Sequence, residues 1–213
     1  PEIDYTFANG LRSIMRQDPD IVLVGEMRDS ETAKLAIQAS LTGHLVLSTL
    51  HTNSAAGAMP RLIDMKIEPF LIVSTIKVII AQRLIRKLGN NKEKYFLSKS
   101  EIASLEKIVN LDRLLGFLKK EKIVGEKDTI ETIPFYKPKE SAESKDGYNG
   151  RVCICEVLKM SPIIKELVVA GKQDSLINEQ AKKEGMMTMI EDGLFKAIQG
   201  VTTIEEVLRV ISE

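Results

Sequence analysis

Glu26, Arg28 and His51 are the residues of this chain whose types and positions are suited to chemistry. Glu26 follows the apolar run Ile21-Val22-Leu23-Val24 and Gly25, and His51 follows Leu45-Val46-Leu47-Ser48-Thr49-Leu50. A carboxylate just past a buried strand can hold a magnesium ion through water, or orient a water against a terminal phosphate. Arg28 adds a planar fork of donors suited to phosphate or carboxylate. An imidazole at the end of the neighbouring strand can donate to a phosphate oxygen and so register its presence. Together these are the acid and sensor parts of a nucleotide triphosphatase. Plainer roles stand beside them. Glu26 alone reads as an acid capping a helix, His44 beside Gly43 as a brace for the turn, and Arg83 and Arg86 as a solvated face.

Such residues need strands to carry them. Four aliphatic residues in a row without polar alternation suit a parallel strand covered on both faces. In open α/β sheets, ligands bind beyond the carboxyl ends of the strands. Thr6 to Gln17 reads as an amphipathic helix with Phe7, Leu11, Ile14 and Met15 inward. Arg12 and Arg16 lie on its other side, either solvated or reaching a nucleotide or neighbouring subunit, and Asp18-Pro19 ends the helix. Ser30 to Ser40 reads as a capped helix stopped at Gly43. Thr52-Asn53-Ser54 caps a helix running to Met65. Pro69 begins another, with Leu71, Ile72, Ile76, Ile79 and Ile80 as its packing face. This alternation predicts an α/β fold with a mostly parallel sheet and helices on both faces.

Asp18-Pro-Asp-Ile-Val-Leu-Val-Gly-Glu-Met-Arg-Asp29 resembles the Walker B box of the secretion ATPases of type II secretion and type IV pilus assembly. Thr42-Gly-His-Leu-Val-Leu-Ser-Thr-Leu-His-Thr-Asn53 resembles that family's His box. Tyr5 to Gln17 and Ala81-Gln-Arg-Leu-Ile-Arg-Lys87 are similar to it as well, and the likeness resumes at Gly147-Tyr-Asn-Gly-Arg151. Two long boxes in this order are far more specific than a lone glycine motif. The resemblance implies a RecA-like core, the C-terminal part of a P-loop NTPase fold. It implies ATP with Mg2+, catalytic roles for Glu26, His51 and Arg28, and nucleotide contacts from Gly25, Glu26, His44, His51 and Arg83. It also implies a homo-hexamer acting on an inner-membrane platform protein from the cytoplasmic face, with assembly favoured over retraction. No Gly-x-x-x-x-Gly-Lys-Ser/Thr occurs in the 213 residues. The expectation is therefore the C-terminal part of a longer motor, inactive alone, with Mg2+ held through water and the missing loop. A non-catalytic subunit of the same ring is the alternative.

Thirty basic and thirty acidic residues cancel, which argues against nucleic acid as a partner and leaves no polybasic tail for lipid. The apolar stretch from Phe70 to Ala81 is broken by Ser74, Thr75 and Lys77, too short and polar to cross a membrane. Three consecutive parts are expected: an ATPase core over 1–89, a charged helical insert over 90–146, and a final strand with a helical subdomain over 147–213. The insert holds 23 charged residues in 57. Two helical patterns are expected in it, followed by an extended connector at 133–138 and a polar linker from Glu140 to Asp146. Many relatives carry two Cys-x-x-Cys pairs for a structural zinc there. This chain has Leu88-Gly-Asn-Asn91 and 139–146 instead, without cysteine or histidine, so no metal is expected. Cys153 and Cys155, alternate residues of a strand, read as small buried hydrophobes in a reducing compartment. Met186, Met187 and Met189 read as packing residues.

Overall fold

The computed structural model describes residues 7–141 and 144–212. Thr6 of the expected first helix, Tyr5 before it, the packing of Phe7, and Ala142 and Glu143 of the expected linker lie outside the described residues. The first elements in chain order are α1 (Phe7–Met15), β1 (Ile21–Val24), α2 (Ser30–Leu41), β2 (Leu45–Ser48), α3 (Ala58–Asp64), α4 (Pro69–Thr75) and β3 (Val78–Leu88). They are followed by β4 (Lys92–Tyr95), α5 (Lys99–Glu106), α6 (Leu111–Lys120), β5 (Phe135–Pro138) and β6 (Tyr148–Lys159). The last four are α7 (Pro162–Val169), α8 (Asp174–Lys183), α9 (Met189–Ile198) and α10 (Ile204–Ser212). The fold is α/β. Among the described residues the strands form three pairs: β1 with β2, β3 with β6, and β4 with β5.

The elements gather into two compact units, each built from two stretches of chain: Pro1–Ala81 with Val157–Met186, and Gln82–Glu156 with Met187–Glu213. Composition suggests three consecutive parts, but core membership divides the tail otherwise. Helix α7 packs on α4, whereas Leu194, Ala197 and Ile198 of α9 share a core with the insert. Charge density marks a solvated surface and does not say which core a helix joins.

In the first unit β1 and β2 pair in parallel, with Ile21 opposite Leu45 and Val24 opposite Ser48. Val22 and Val24 pack with Ala8 and Leu11 of α1 and with Leu35 and Ala36 of α2. The other face differs from the two-sided burial expected. Ile21, Leu23, Leu45 and Leu47 are 60%, 75%, 54% and 50% exposed, because α1 and α2 form the only helical layer against these strands among the described residues. Ile14, expected inward on α1, is also exposed. Asp29 caps α2 one residue earlier than Ser30, accepting the Thr32 N–H at 2.8 Å. That bond holds the Asp29 carboxyl below its usual pKa. The helix before Met65 also starts late: Ser54 accepts the Gly57 N–H in the preceding turn, and α3 begins at Ala58.

A second correction concerns the helix expected through Ile80. Helix α4 ends at Thr75, Ile76 is already extended at ψ 130, and β3 begins at Val78. The spacing of Ile72, Ile76 and Ile79 imitates a helical face. The β-branched run Val78-Ile79-Ile80 prefers the pleated backbone, and burial then alternates, with Ala81 and Ile85 inward.

The second unit encloses Ile102, Leu105, Leu114 and Leu118 of the insert with Ile133 and Phe135 and the inner face of α9. Both expected insert helices form. Ser98 and Glu101 make a capping box for α5, and Asn110 caps α6. The expected connector contains β5, antiparallel to β4. The Lys92-Glu93-Lys94-Tyr95 strand gives too polar a signal to be foreseen. Helix α9 lies close on α10 because residue 193 is glycine. A Cβ there would sit 2.5 Å from a methyl of the stiff Val207 side chain. Met186 is buried, and Met189 packs beside Ile85 and Ile154. Cys153 and Cys155 are half-buried rather than core, and burial pushes the Cys155 thiol pKa up.

One buried carboxylate ties α10 to β3. Glu206 is 2% exposed and accepts from the Arg86 side chain at 2.6 Å and the Arg86 backbone N–H at 3.1 Å. It also accepts from Arg209 at 3.0 Å through two nitrogens. The Arg86 guanidinium lies 4.1 Å from the centre of the Tyr148 ring, whose hydroxyl meets Thr203 at 3.1 Å. Arg209 first, then Arg86, draw the Glu206 carboxyl down to about 2. The stabilisation from a depressed carboxyl is complete above its unfolded pKa and is lost as pH falls through the folded one. Between neutral pH and pH 2 the loss should be on the order of 3 kcal/mol. Denaturant unfolding at pH 7 and pH 3 checks this. The wild-type chain should lose stability steeply between them, and Glu206→Gln should start lower and lose markedly less.

Candidate active site

The register of β1 and β2 fixes where the candidate residues meet. With Val24 opposite Ser48, the two carboxyl ends are flush and the loops after them leave side by side. The loops are joined through Thr49. Its carbonyl accepts the Met27 N–H at 3.0 Å, and its hydroxyl donates to the Gly25 carbonyl at 2.7 Å. Glu26 lies between those two bonds. One carboxylate oxygen meets Nη2 of Arg28 at 2.5 Å, and the other meets Nε2 of His51 at 3.0 Å. The three residues grouped by sequence reasoning are thus in direct contact.

The cluster is open to water. Side-chain exposure is 30% for Glu26, 75% for Arg28 and 83% for His51. Arg28, then His51, hold the Glu26 carboxyl below the usual carboxylate range, while Glu26 raises the Arg28 guanidinium. Glu26 is therefore a carboxylate at neutral pH, able to accept a proton from water, with cationic and imidazole donors on either side. The same donors match the terminal oxygens of a polyphosphate.

The other candidates lie elsewhere. His44 precedes β2 and His51 follows it, so about 13 Å of strand separates the two ends. The His44 Nδ1 lies 3.0 Å from the Ala39 carbonyl and 3.1 Å from the Thr42 hydroxyl, bracing the end of α2. Arg83 is half-buried on β3 in the second unit. Arg12 pairs with Glu31 at 2.8 Å and also bonds Asn9. Beside Gly25 nothing lies within 4 Å of where a Cβ would stand, so the backbone there borders open space. Sequence reasoning missed Thr49. Its one signal is a hydroxyl-bearing, β-branched residue at the first position after the strand. Among the described residues no group of three or more His, Cys, Asp or Glu side chains could hold a metal ion.

An α/β chain with an acid and a histidine at the flush ends of parallel strands suits phosphate chemistry, and comparison with known proteins narrows the class. The model of the type II/IV secretion system protein family matches residues 1–209, and the chain belongs to that family. It is 49% identical over 214 residues to the type II secretion system protein E of Xanthomonas campestris pv. campestris, covering 100% of this chain and 35% of the relative. It is 43% identical to the type IV pilus assembly ATPase PilB of Thermus thermophilus, covering 98% of this chain and 22% of the relative. Among solved structures, the pilus retraction motor PilT with bound ADP superposes with a TM-score of 0.61 at 25% identity, over 98% of this chain and 44% of that one. The chain thus spans between about a fifth and two fifths of the length of these relatives.

The carboxylate's environment yields a direct test. Following the Glu26 side-chain carboxyl through acid titration by carbon NMR, Arg28→Ala should raise its pKa toward the ordinary value. His51→Ala should raise it less, because the guanidinium contact is the stronger of the two.

Proposed function

We propose that this chain carries the hydrolytic half of an ATP-driven motor subunit for type II secretion or type IV pilus assembly. The observation that carries the reading is the Glu26–His51 contact of 3.0 Å at the ends of neighbouring parallel strands, in a chain of this family. In the proposed cycle Glu26 accepts a proton from the attacking water as it approaches the terminal phosphate. His51 and Arg28 donate to phosphate oxygens as charge builds on them. His51, bonded to Glu26, links the presence of the phosphate to the state of the base. Assembly or secretion is favoured over retraction by the 41–49% identity to secretion and assembly relatives, against 25% to the retraction motor.

The 213 residues contain no glycine-rich phosphate loop, so in this reading other parts of a relative-length protein supply the cradle for the β- and γ-phosphates. The bare aliphatic face of Ile21, Leu23, Leu45 and Leu47 supports this, since parallel strands ordinarily bury both faces. Magnesium would neutralise phosphate charge when bound. A single carboxylate flanked by two donors does not make a magnesium site, so no step is assigned to the metal here. A homo-hexameric ring working on an inner-membrane platform protein from the cytoplasmic side completes the proposal. In it, nucleotide exchange moves domains and domain motion moves the platform. No described helix is long and apolar enough to cross a membrane.

Steady-state hydrolysis and nucleotide binding, measured on the full natural reading frame containing these residues, test the reading. Glu26→Gln should lower kcat by about 10²-fold or more with nucleotide affinity nearly unchanged, the size expected for losing a positioned base. The 213-residue chain alone should show no turnover. Near-normal hydrolysis by Glu26→Gln would remove Glu26 from its assigned role.

A further inference from the structure

We propose that Thr49 is the positioning residue for Glu26, fixing the direction in which its side chain leaves the backbone. The inference rests on the reading of Glu26 as the proton acceptor. The geometry is specific. Two peptide planes flank a residue, and the rotations about its N–Cα and Cα–C bonds relate them to its side chain. The Gly25 carbonyl belongs to the plane entering Glu26, and the Met27 N–H belongs to the plane leaving it. Thr49 binds both, the first through its hydroxyl at 2.7 Å and the second through its own carbonyl at 3.0 Å. One residue on β2's exit therefore sets both backbone rotations of Glu26, and with them its Cα–Cβ direction.

Little else performs this task. Gly25 precedes the acid and has the widest backbone freedom of any residue, with open space where a side chain would be. The contacts of Glu26 with Arg28 and His51 are made by side chains that are themselves mostly exposed, and pairs of that kind hold geometry weakly in water. Thr49 is itself exposed, but it differs in binding the backbone on both sides of Glu26 and in preceding His51 by two residues on the same chain. The bonds that orient Glu26 thus fix it relative to the imidazole it touches. Threonine suits the position: β-branching limits its χ1, so the hydroxyl is already aimed, whereas serine would keep the donor with a freer rotor.

The test uses the full natural reading frame carrying Thr49→Val, Thr49→Ser and Glu26→Gln. Valine keeps the shape and the backbone carbonyl but removes the donor. Thr49→Val should lower kcat by about ten- to a hundredfold, the range expected for a misplaced reacting group, with KM within about twofold. Thr49→Ser should recover to within about threefold of wild type. Hydrogen exchange at the Met27 amide, read independently of turnover, should quicken in Thr49→Val and return toward wild type in Thr49→Ser. A Thr49→Val enzyme with unchanged kcat and unchanged Met27 exchange, beside an inactive Glu26→Gln, would overturn the role of Thr49 and leave that of Glu26 standing. Equal losses in the valine and serine variants would also overturn it, assigning the effect to packing rather than to the hydroxyl. Turnover retained by Glu26→Gln would instead remove the reading on which the inference rests.

Discussion

The parallel pairing of β1 with β2 is the constraint from which the candidate site follows. Parallel strands run in the same sense, so their carboxyl ends lie at one edge and the loops leaving them are neighbours. The register of Val24 with Ser48 makes those ends flush. A slip of one residue would turn Val22 and Val24 out of the core shared with α1 and α2, so burial and site geometry select the same register. Residues 25 apart in sequence, Glu26 and His51, become hydrogen-bond partners through that register.

Two carboxylates of the molecule show how environment decides what an acid does. Glu206 is buried, meets two guanidinium groups and a backbone N–H, and has its pKa drawn to about 2. Its buried carboxylate binds the backbone of β3 and a guanidinium from each element, so it acts as a fastener between α10 and β3. Glu26 also meets an arginine and a second donor, yet its partners are mostly exposed. Water competes for each of them, and the pair contributes little to folding. An acid that can be uncoupled from its partners at small cost is suited to a reaction cycle. One that cannot is suited to a joint.

What was legible in the sequence was local. The runs at Ile21 and Leu45, the glycine stop at Gly43, and the two helical patterns of the insert were readable because each rests on a few adjacent residues. The grouping of Glu26, Arg28 and His51 was legible through the two boxes, and the structure brings these three into contact. What failed was non-local or degenerate. Isoleucines at 72, 76 and 79 match a helix and a helix-to-strand passage equally well, and only the tertiary setting decides between them. Strand β4 has lysine and glutamate where a strand signal would be, so its pairing with β5 was hidden. The contacts of Thr49 with Gly25 and Met27 span more than twenty residues and involve main-chain atoms, which no side-chain pattern encodes.

The openness of the cluster bears on how its chemistry can work. Between unit charges about 4 Å apart, attraction is about 1 kcal/mol in water and several times that where water is excluded. With His51 and Arg28 mostly exposed, the described residues alone give weak electrostatics, well short of what transition-state stabilisation in a closed site provides. In the proposed motor the missing strength comes from enclosure. A phosphate cradle and a covering surface would displace water from the loops after β1 and β2, and the same donors would then act in a lower dielectric. The bare aliphatic face on the strands that carry those loops favours a covering element on thermodynamic grounds. Four half-exposed or better aliphatic side chains would each contribute on the order of 1–2 kcal/mol when buried. Association of that kind and activation of the acid would then be one event, and turnover in the proposed motor would depend on enclosure as well as on Glu26 itself.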